Sequence, residues 1–158
     1  QPPARVATEM NRRFRASDHD RRFLTMGLCV LDTSAGRLHF TSAGHPPALI
    51  LRGNDAVAAP DAGGFPIAIV DGAKYDDAAL QLEPGDRVYL YSDGVSEQLD
   101  AAGMTQFGTA RLLALLQAQG GATLAQAVAS VVDTLAAWAG TRSFTDDVSV
   151  VGVEWRGA

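Results

Sequence analysis

Apolar positions along this chain follow two regimes. Short runs broken by turn residues extend to about residue 97, and wide helical stripes occupy 109–140. Ahead of both, Val6, Met10 and Phe14 recur at helical spacing behind Pro2 and Pro3, which predicts an opening helix over 4–15. Phe23 to Asp32 and Arg37 to Thr41 are apolar runs joined by Thr33-Ser34-Ala35-Gly36, and they predict an antiparallel hairpin. Ala48 to Leu51 predicts a further strand ending at the Gly53-Asn54 turn. The stretch from Asn54 to Asp77 reads as loop, with Phe65 and Ile67 tucked into the body. Ala78 to Leu82 and Val88 to Tyr91 flank Pro84-Gly85-Asp86 and are expected to return beside one another.

The helical regime opens at Thr109 and runs to Gln119 with Leu112, Leu113, Leu115 and Leu116 on a broad face, closed by Gly120-Gly121. Thr123 then reads as an N-cap with Gln126 in the capping-box position, and Leu124, Val128, Val131, Leu135 and Trp138 form one stripe down to Gly140. Val148 to Trp155 predicts a closing strand with alternate residues buried. No internal repeat or linker marks a second domain, and 158 residues with 47% hydrophobic content suit one domain spanning 1–158.

A net charge of −5 argues against a nucleic-acid partner. Arg12, Arg13, Arg15, Arg21 and Arg22 gather around Ser17-Asp18-His19-Asp20, either as a docking patch for phosphate or an acidic partner or, more simply, as a solvated surface. The single cysteine, Cys29, lies in an apolar run. It reads as a buried inert thiol and fits a reducing cytoplasm. No apolar run approaches the roughly 20 residues of a membrane span, so no membrane partner is expected.

Two acidic strand ends carry the candidate chemistry. Val88 to Tyr91 delivers Asp93 onto a glycine, and Asp146-Asp147 precedes the closing strand. Hard divalent cations take oxygen ligands and keep several waters, so carboxylates converging from two strand ends suit Mg²⁺ or Mn²⁺. Asp93 and Asp146 are the candidate ligands. Gly94 would admit close approach, and Asp147 would ligate, hold a water or orient its neighbour. The competing reading is an ordinary Asp-Gly turn and an aspartate capping a loop. Histidine as a residue type can serve as a general acid, which makes His45 a candidate, but a structural hydrogen-bonding role is favoured. His39 reads as the outward side of a strand, His19 as solvated, and Trp138 and Trp155 as packing residues.

Taken in order, several motifs resemble those of the metal-dependent protein phosphatase (PPM) family, in its bacterial sporulation and stress-response branch. They are Ala43-Gly44-His45-Pro46-Pro47, Leu82-Glu83-Pro84-Gly85-Asp86, Tyr91-Ser92-Asp93-Gly94-Val95-Ser96-Glu97, Phe107-Gly108 with Arg111-Leu112, and Asp146-Asp147-Val148-Ser149. The resemblance implies an α+β fold of two stacked, mainly antiparallel β-sheets flanked by helices, an α-β-β-α sandwich. It implies a binuclear Mn²⁺ or Mg²⁺ centre to which Asp93 and Asp146 contribute, and hydrolysis of phosphoserine or phosphothreonine by water activated there. Glu97 recurs in the branch's motif and is expected to fix the loop rather than ligate. The His45 position is not among the family's standard ligands.

The family's first metal motif, an early-strand aspartate followed by an Asp-x-x-Gly-His-Gly-like turn, has no counterpart in this chain. The chain is therefore expected to begin inside the domain, lacking its N-terminal strands, and a homodimer would be one way to cover the exposed edges. The implied partner is a phosphorylated regulatory protein of bacterial signalling, such as a sigma-factor regulator. Two alternatives stand beside this reading. One is a degenerate phosphatase domain serving as a non-enzymatic binding module. The other is a serine or cysteine hydrolase, for which no Gly-x-Ser-x-Gly elbow is present.

Overall fold

The computed structural model describes residues 1–14, 22–57 and 62–157. Arg15, Arg21 and the Ser17-Asp18-His19-Asp20 loop, where part of the arginine cluster was expected, lie outside the described residues. Backbone contacts divide the chain into two compact units, one a sheet with a single helix and the other a sheet with three helices among the described residues.

The first unit contains helix α1 (Pro3–Arg13) and strands β1 (Met26–Asp32), β2 (Arg37–Ala43) and β5 (Ala78–Gln81), in the order β1-β2-β5 with both pairings antiparallel. The predicted hairpin is present, in register from Met26 opposite Ala43 to Asp32 opposite Arg37. It starts later than expected: Phe23 is 59% exposed, and Leu24 makes only an isolated bridge to Ile67.

The buried face of α1 also differs from expectation. Pro3, Ala4, Ala7 and Asn11 face inward and Met10 of the predicted stripe packs against the same core, while Phe14 ends the helix in extended backbone and is 46% exposed. Small alanines admit close packing on the sheet. Asn11 is held inside because its amide donates to the Val70 carbonyl (2.9 Å) and accepts from the Ala68 N–H (2.8 Å). That satisfied amide outweighs the stripe of larger apolar residues. Ile67 enters the core as expected, but Phe65 is 62% exposed. His39, between buried Leu38 and Phe40 of β2, is half-buried rather than outward. Arg12 and Arg13 both pair with Glu9 on the surface, which suits the solvated reading of these two arginines.

The second unit contains β3 (Leu49–Arg52), β4 (Asp55–Val57), β6 (Arg87–Tyr91) and β7 (Val150–Glu154), in the antiparallel order β4-β3-β6-β7. Helices α2 (Asp93–Ser96), α3 (Gly108–Ala118) and α4 (Leu124–Ala139) accompany this sheet. The strand at 55–57 was unanticipated; it forms a hairpin with β3 across Gly53-Asn54. β5 and β6 do not lie side by side as predicted: β5 pairs with β2, and β6 pairs with β3 and β7. The turn between them makes its bonds elsewhere, with Leu82 N–H donating to Gly36 and Gly85 N–H to Trp155, so the chain passes from one sheet to the other.

Tyr89 and Tyr91 of β6 pack beneath Leu112 and Leu116 of α3 and Val131 and Leu135 of α4. Gly152 on β7 permits this packing, since a Cβ there would lie 2.9 Å from Leu124 Cδ1 and 3.0 Å from Val128 Cγ2. The Thr123–Gln126 capping box is formed in both directions, and α4 ends at left-handed Gly140. Such a cap contributes about 1 kcal/mol. Trp138 packs edge-on to Phe107 and under the Arg111 guanidinium, while Trp155 is buried, so both tryptophans are packing residues. At the base of β6, Asp86 is fully buried and accepts two bonds from Arg52, at 2.9 and 2.8 Å. Two antiparallel sheets with helices realise the expected α+β class. Among the described residues no helix is long and apolar enough to cross a membrane.

Candidate metal site

The site grows from the end of β6. Tyr91 is anchored in the core, its hydroxyl 3.3 Å from Thr109 Oγ1, and Val95 is wholly buried four residues on. Between these fixed points the chain makes one extended residue, Ser92, and then the single turn of α2. Asp93 is therefore the first residue of a short helix rather than of a simple turn, and it is exposed to solvent.

Ser92 and Gly94 bring the second acidic segment alongside. Ser92 Oγ donates to the Asp147 carbonyl (2.7 Å) and accepts from the Ser149 N–H (2.9 Å), while its own N–H donates to the Ser149 carbonyl (3.0 Å). Gly94 is buried against the same segment: a Cβ on it would stand 2.5 Å from the Asp147 carbonyl oxygen and 3.4 Å from Asp146 Cβ. The close approach expected at Gly94 is thus made by the chain's own backbone rather than by solvent. Gln98, which is 3% exposed, accepts from the Thr145 N–H (3.3 Å) through Oε1 and donates to the Leu99 carbonyl through Nε2.

The structure accordingly brings Asp93, Gly94, Asp146 and Asp147 together, and all three carboxylates are exposed. Asp93 Oδ1 accepts from Gly94 N–H (3.0 Å) and Asp146 Oδ1 from Asp147 N–H (2.7 Å). Among the described residues, neither these aspartates nor Glu97 forms an ion pair. Glu97 closes α2 through its backbone N–H on the Asp93 carbonyl (2.8 Å), and its side chain is exposed. Ser92 and Gln98 were not singled out from the sequence. Their only signal is a hydroxyl just before Asp-Gly and an amide just after Glu97, both beside residues of the buried core.

His45 is tied within the first unit. Its N–H donates to Ser42 Oγ, its carbonyl accepts from the same hydroxyl, and its ring lies against Gly27, where a Cβ would meet Cδ2 at 2.7 Å. This agrees with a structural role. Cys29 is partly buried, and its desolvation pushes the thiol up to about 11, an inert state.

The donor chemistry suits a hard cation. Mg²⁺ and Mn²⁺ accept one or two carboxylates and complete their shell with water and phosphate oxygens. The exposed carboxylates of Asp93 and Asp146 are oxygen donors of the kind such a hydrated ion takes. Among the described residues no group of three or more His, Cys, Asp or Glu side chains is arranged to hold a metal.

The family model for stage II sporulation protein E (SpoIIE) matches residues 1–156. Protein IcfG of Synechocystis sp. is 31% identical over 98 residues, 61% of this chain and 15% of that protein. The SiaA-PP2C domain of Pseudomonas aeruginosa superimposes with a TM-score of 0.82 at 22% identity, over 97% of this chain and 61% of that one. The RsbU and RsbW domains of Rv1364c from Mycobacterium tuberculosis give 0.77 at 21% identity, over 99% of this chain and 43% of that one. The Mn-presoaked phosphatase domain of SpoIIE from Bacillus subtilis gives 0.64 at 18% identity, over 90% and 61%. The chain therefore spans less than two thirds of each of these relatives, and the structural likenesses establish a shared fold. Since the family model covers nearly all of its length, the chain belongs to the SpoIIE family of bacterial PPM (PP2C-type) phosphatase domains.

Proposed function

We propose that this chain is a phosphatase domain that removes phosphate from serine or threonine of a regulatory protein in bacterial signalling, with Asp93 and Asp146 holding Mn²⁺ or Mg²⁺. The observation that carries the reading is the joining of two exposed aspartates from separate strand ends by the Ser92 hydroxyl and the Gly94 contact. Two carboxylates held together against their mutual repulsion suit a cation. The SiaA-PP2C domain and the phosphatase domain of SpoIIE support the phosphatase role, and PppA, a key regulatory component of T6SS in Pseudomonas aeruginosa, supports a place in regulation.

A divalent cation, when bound, lowers the pKa of its water and offsets charge on the phosphoryl oxygens. The chain's own residues prepare for it. Each aspartate has one oxygen engaged by the next peptide N–H, which fixes its rotamer, and among the described residues the other oxygen makes no hydrogen bond. Gly94, Asp147 and Glu97 hold the loops behind the two carboxylates. The substrate proposed is a phosphorylated regulatory protein, such as the sigma-factor regulator that the family resemblance implies.

The test is Mn²⁺-dependent release of phosphate from a phosphoserine peptide. Asp93→Asn should abolish turnover at an unchanged melting temperature, and full activity in that variant would remove Asp93 from the site. A second reading, a non-enzymatic binding module, is favoured by the lack of a third ligand among the described residues. It predicts a chain that binds a partner protein but neither Mn²⁺ nor phosphopeptide turnover.

A further inference from the structure

We infer that Ser92 is a positioning residue, whose hydroxyl sets the separation of Asp93 and Asp146 and so tunes the affinity of the cation site; this rests on the metal-holding reading above. The paired register of β6 and β7 ends at Tyr91 opposite Val150, and beyond it, among the described residues, one backbone bond, from the Ser92 N–H to the Ser149 carbonyl (3.0 Å), joins the two segments. The Ser92 side chain carries the link one step further, to the acidic pair, with both capacities of its hydroxyl in use, donating to the Asp147 carbonyl and accepting from the Ser149 N–H. Each end of the bridge is one residue from a carboxylate: Ser92 precedes Asp93, and Asp147 follows Asp146. Asp147 and Ser149 are exposed, so water can replace the hydroxyl as their partner when it is removed. Deletion should therefore cost little folding stability while releasing the relative position of the two aspartates. A residue serving only to hold the fold would show the opposite signature.

The experiment titrates the 158-residue chain with Mn²⁺ and reads the free ion by electron paramagnetic resonance, with thermal unfolding of the metal-free protein alongside. Ser92→Ala should weaken Mn²⁺ binding by about 10- to 100-fold, the range for residues that orient metal ligands. Its melting temperature should shift by no more than about 4 °C. Ser92→Thr, which keeps the hydroxyl, should restore most of the affinity. In the Asp146→Asn background, Ser92→Ala should change binding no further, because the ligand it positions is gone.

Wild-type affinity in Ser92→Ala, or a Ser92→Ala effect that persists in full in the Asp146→Asn background, would overturn the inference while leaving the metal-holding reading standing. A fall in melting temperature well beyond 4 °C with affinity retained would assign Ser92 to the fold alone. A wild-type chain that binds no Mn²⁺ would overturn both.

Discussion

Gly94→Ala gives the sharpest test of how the two acidic segments are joined. The added Cβ would lie 2.5 Å from the Asp147 carbonyl oxygen, whereas ordinary contact begins near 3.4 Å, so the peptides must part by about 0.9 Å. The obstacle is backbone, which no rotamer change can move aside. Overpacking of this kind costs about 1–3 kcal/mol, and alanine returns only part of its roughly 1 kcal/mol helix advantage within the four-residue α2. A net loss of about 1–2 kcal/mol follows, which for a domain of this size lowers the melting temperature by roughly 2–8 °C.

The same displacement moves the Asp146–Asp147 segment, so Mn²⁺ affinity should fall at least about tenfold. Urea unfolding gives the stability, with the midpoint expected to fall at a constant slope. Gly121→Ala is the control: nothing lies within 4 Å of its Cβ position, and it should be neutral or slightly stabilising. Gly94→Ala with unchanged midpoint and unchanged Mn²⁺ affinity would refute the close contact as an element that helps to fix the site.

Three further outcomes follow from the fold. Arg52→Met should cost about 3–5 kcal/mol by urea unfolding, because it strips the guanidinium from a fully buried carboxylate. Asp86→Asn should cost less, since the Arg52 side chain is 40% exposed and can turn to water; equal losses would contradict this asymmetry. Arg12 and Arg13 hold the Glu9 carboxyl down to about 2, against about 4.3 in an unfolded chain. Its contribution is therefore present above pH 4.3 and lost as pH falls through 2. Glu9→Gln should flatten that part of the profile of melting temperature against pH, and an unaltered profile would discount the pair. With its thiol pushed up to about 11, Cys29 should react with iodoacetamide at pH 8 far more slowly in the folded protein than in urea, and equal rates would show an open thiol.

What could be read from the sequence divides along the reach of each interaction. The β1–β2 hairpin and the Thr123–Gln126 cap were legible because their chemistry is settled within a few residues. The pairing of β5 with β6 was misread because sequence neighbours across a Pro-Gly turn are expected to reverse; here Leu82 and Gly85 bond to Gly36 and Trp155, far along the chain. The inward face of α1 was misread for the same reason, since Asn11 is buried by partners 57 and 59 residues away.

The candidate site follows the same division. Asp93 and Asp146 stood out because carboxylates meet a hard cation's demand and because both lie in motifs that resemble those of the PPM family. Ser92 did not stand out, because a serine before a turn is ordinary and its role depends on partners 55 and 57 residues ahead. The residues that would supply charge are thus written in the motif, whereas the distance between them is set by side chains whose type is unremarkable. For that reason a hydroxyl deletion at Ser92 tests the three-dimensional reading more severely than a carboxylate deletion at Asp93. Loss of the aspartate would follow from the motif alone, but loss of affinity without loss of fold at Ser92 follows only from the bridge.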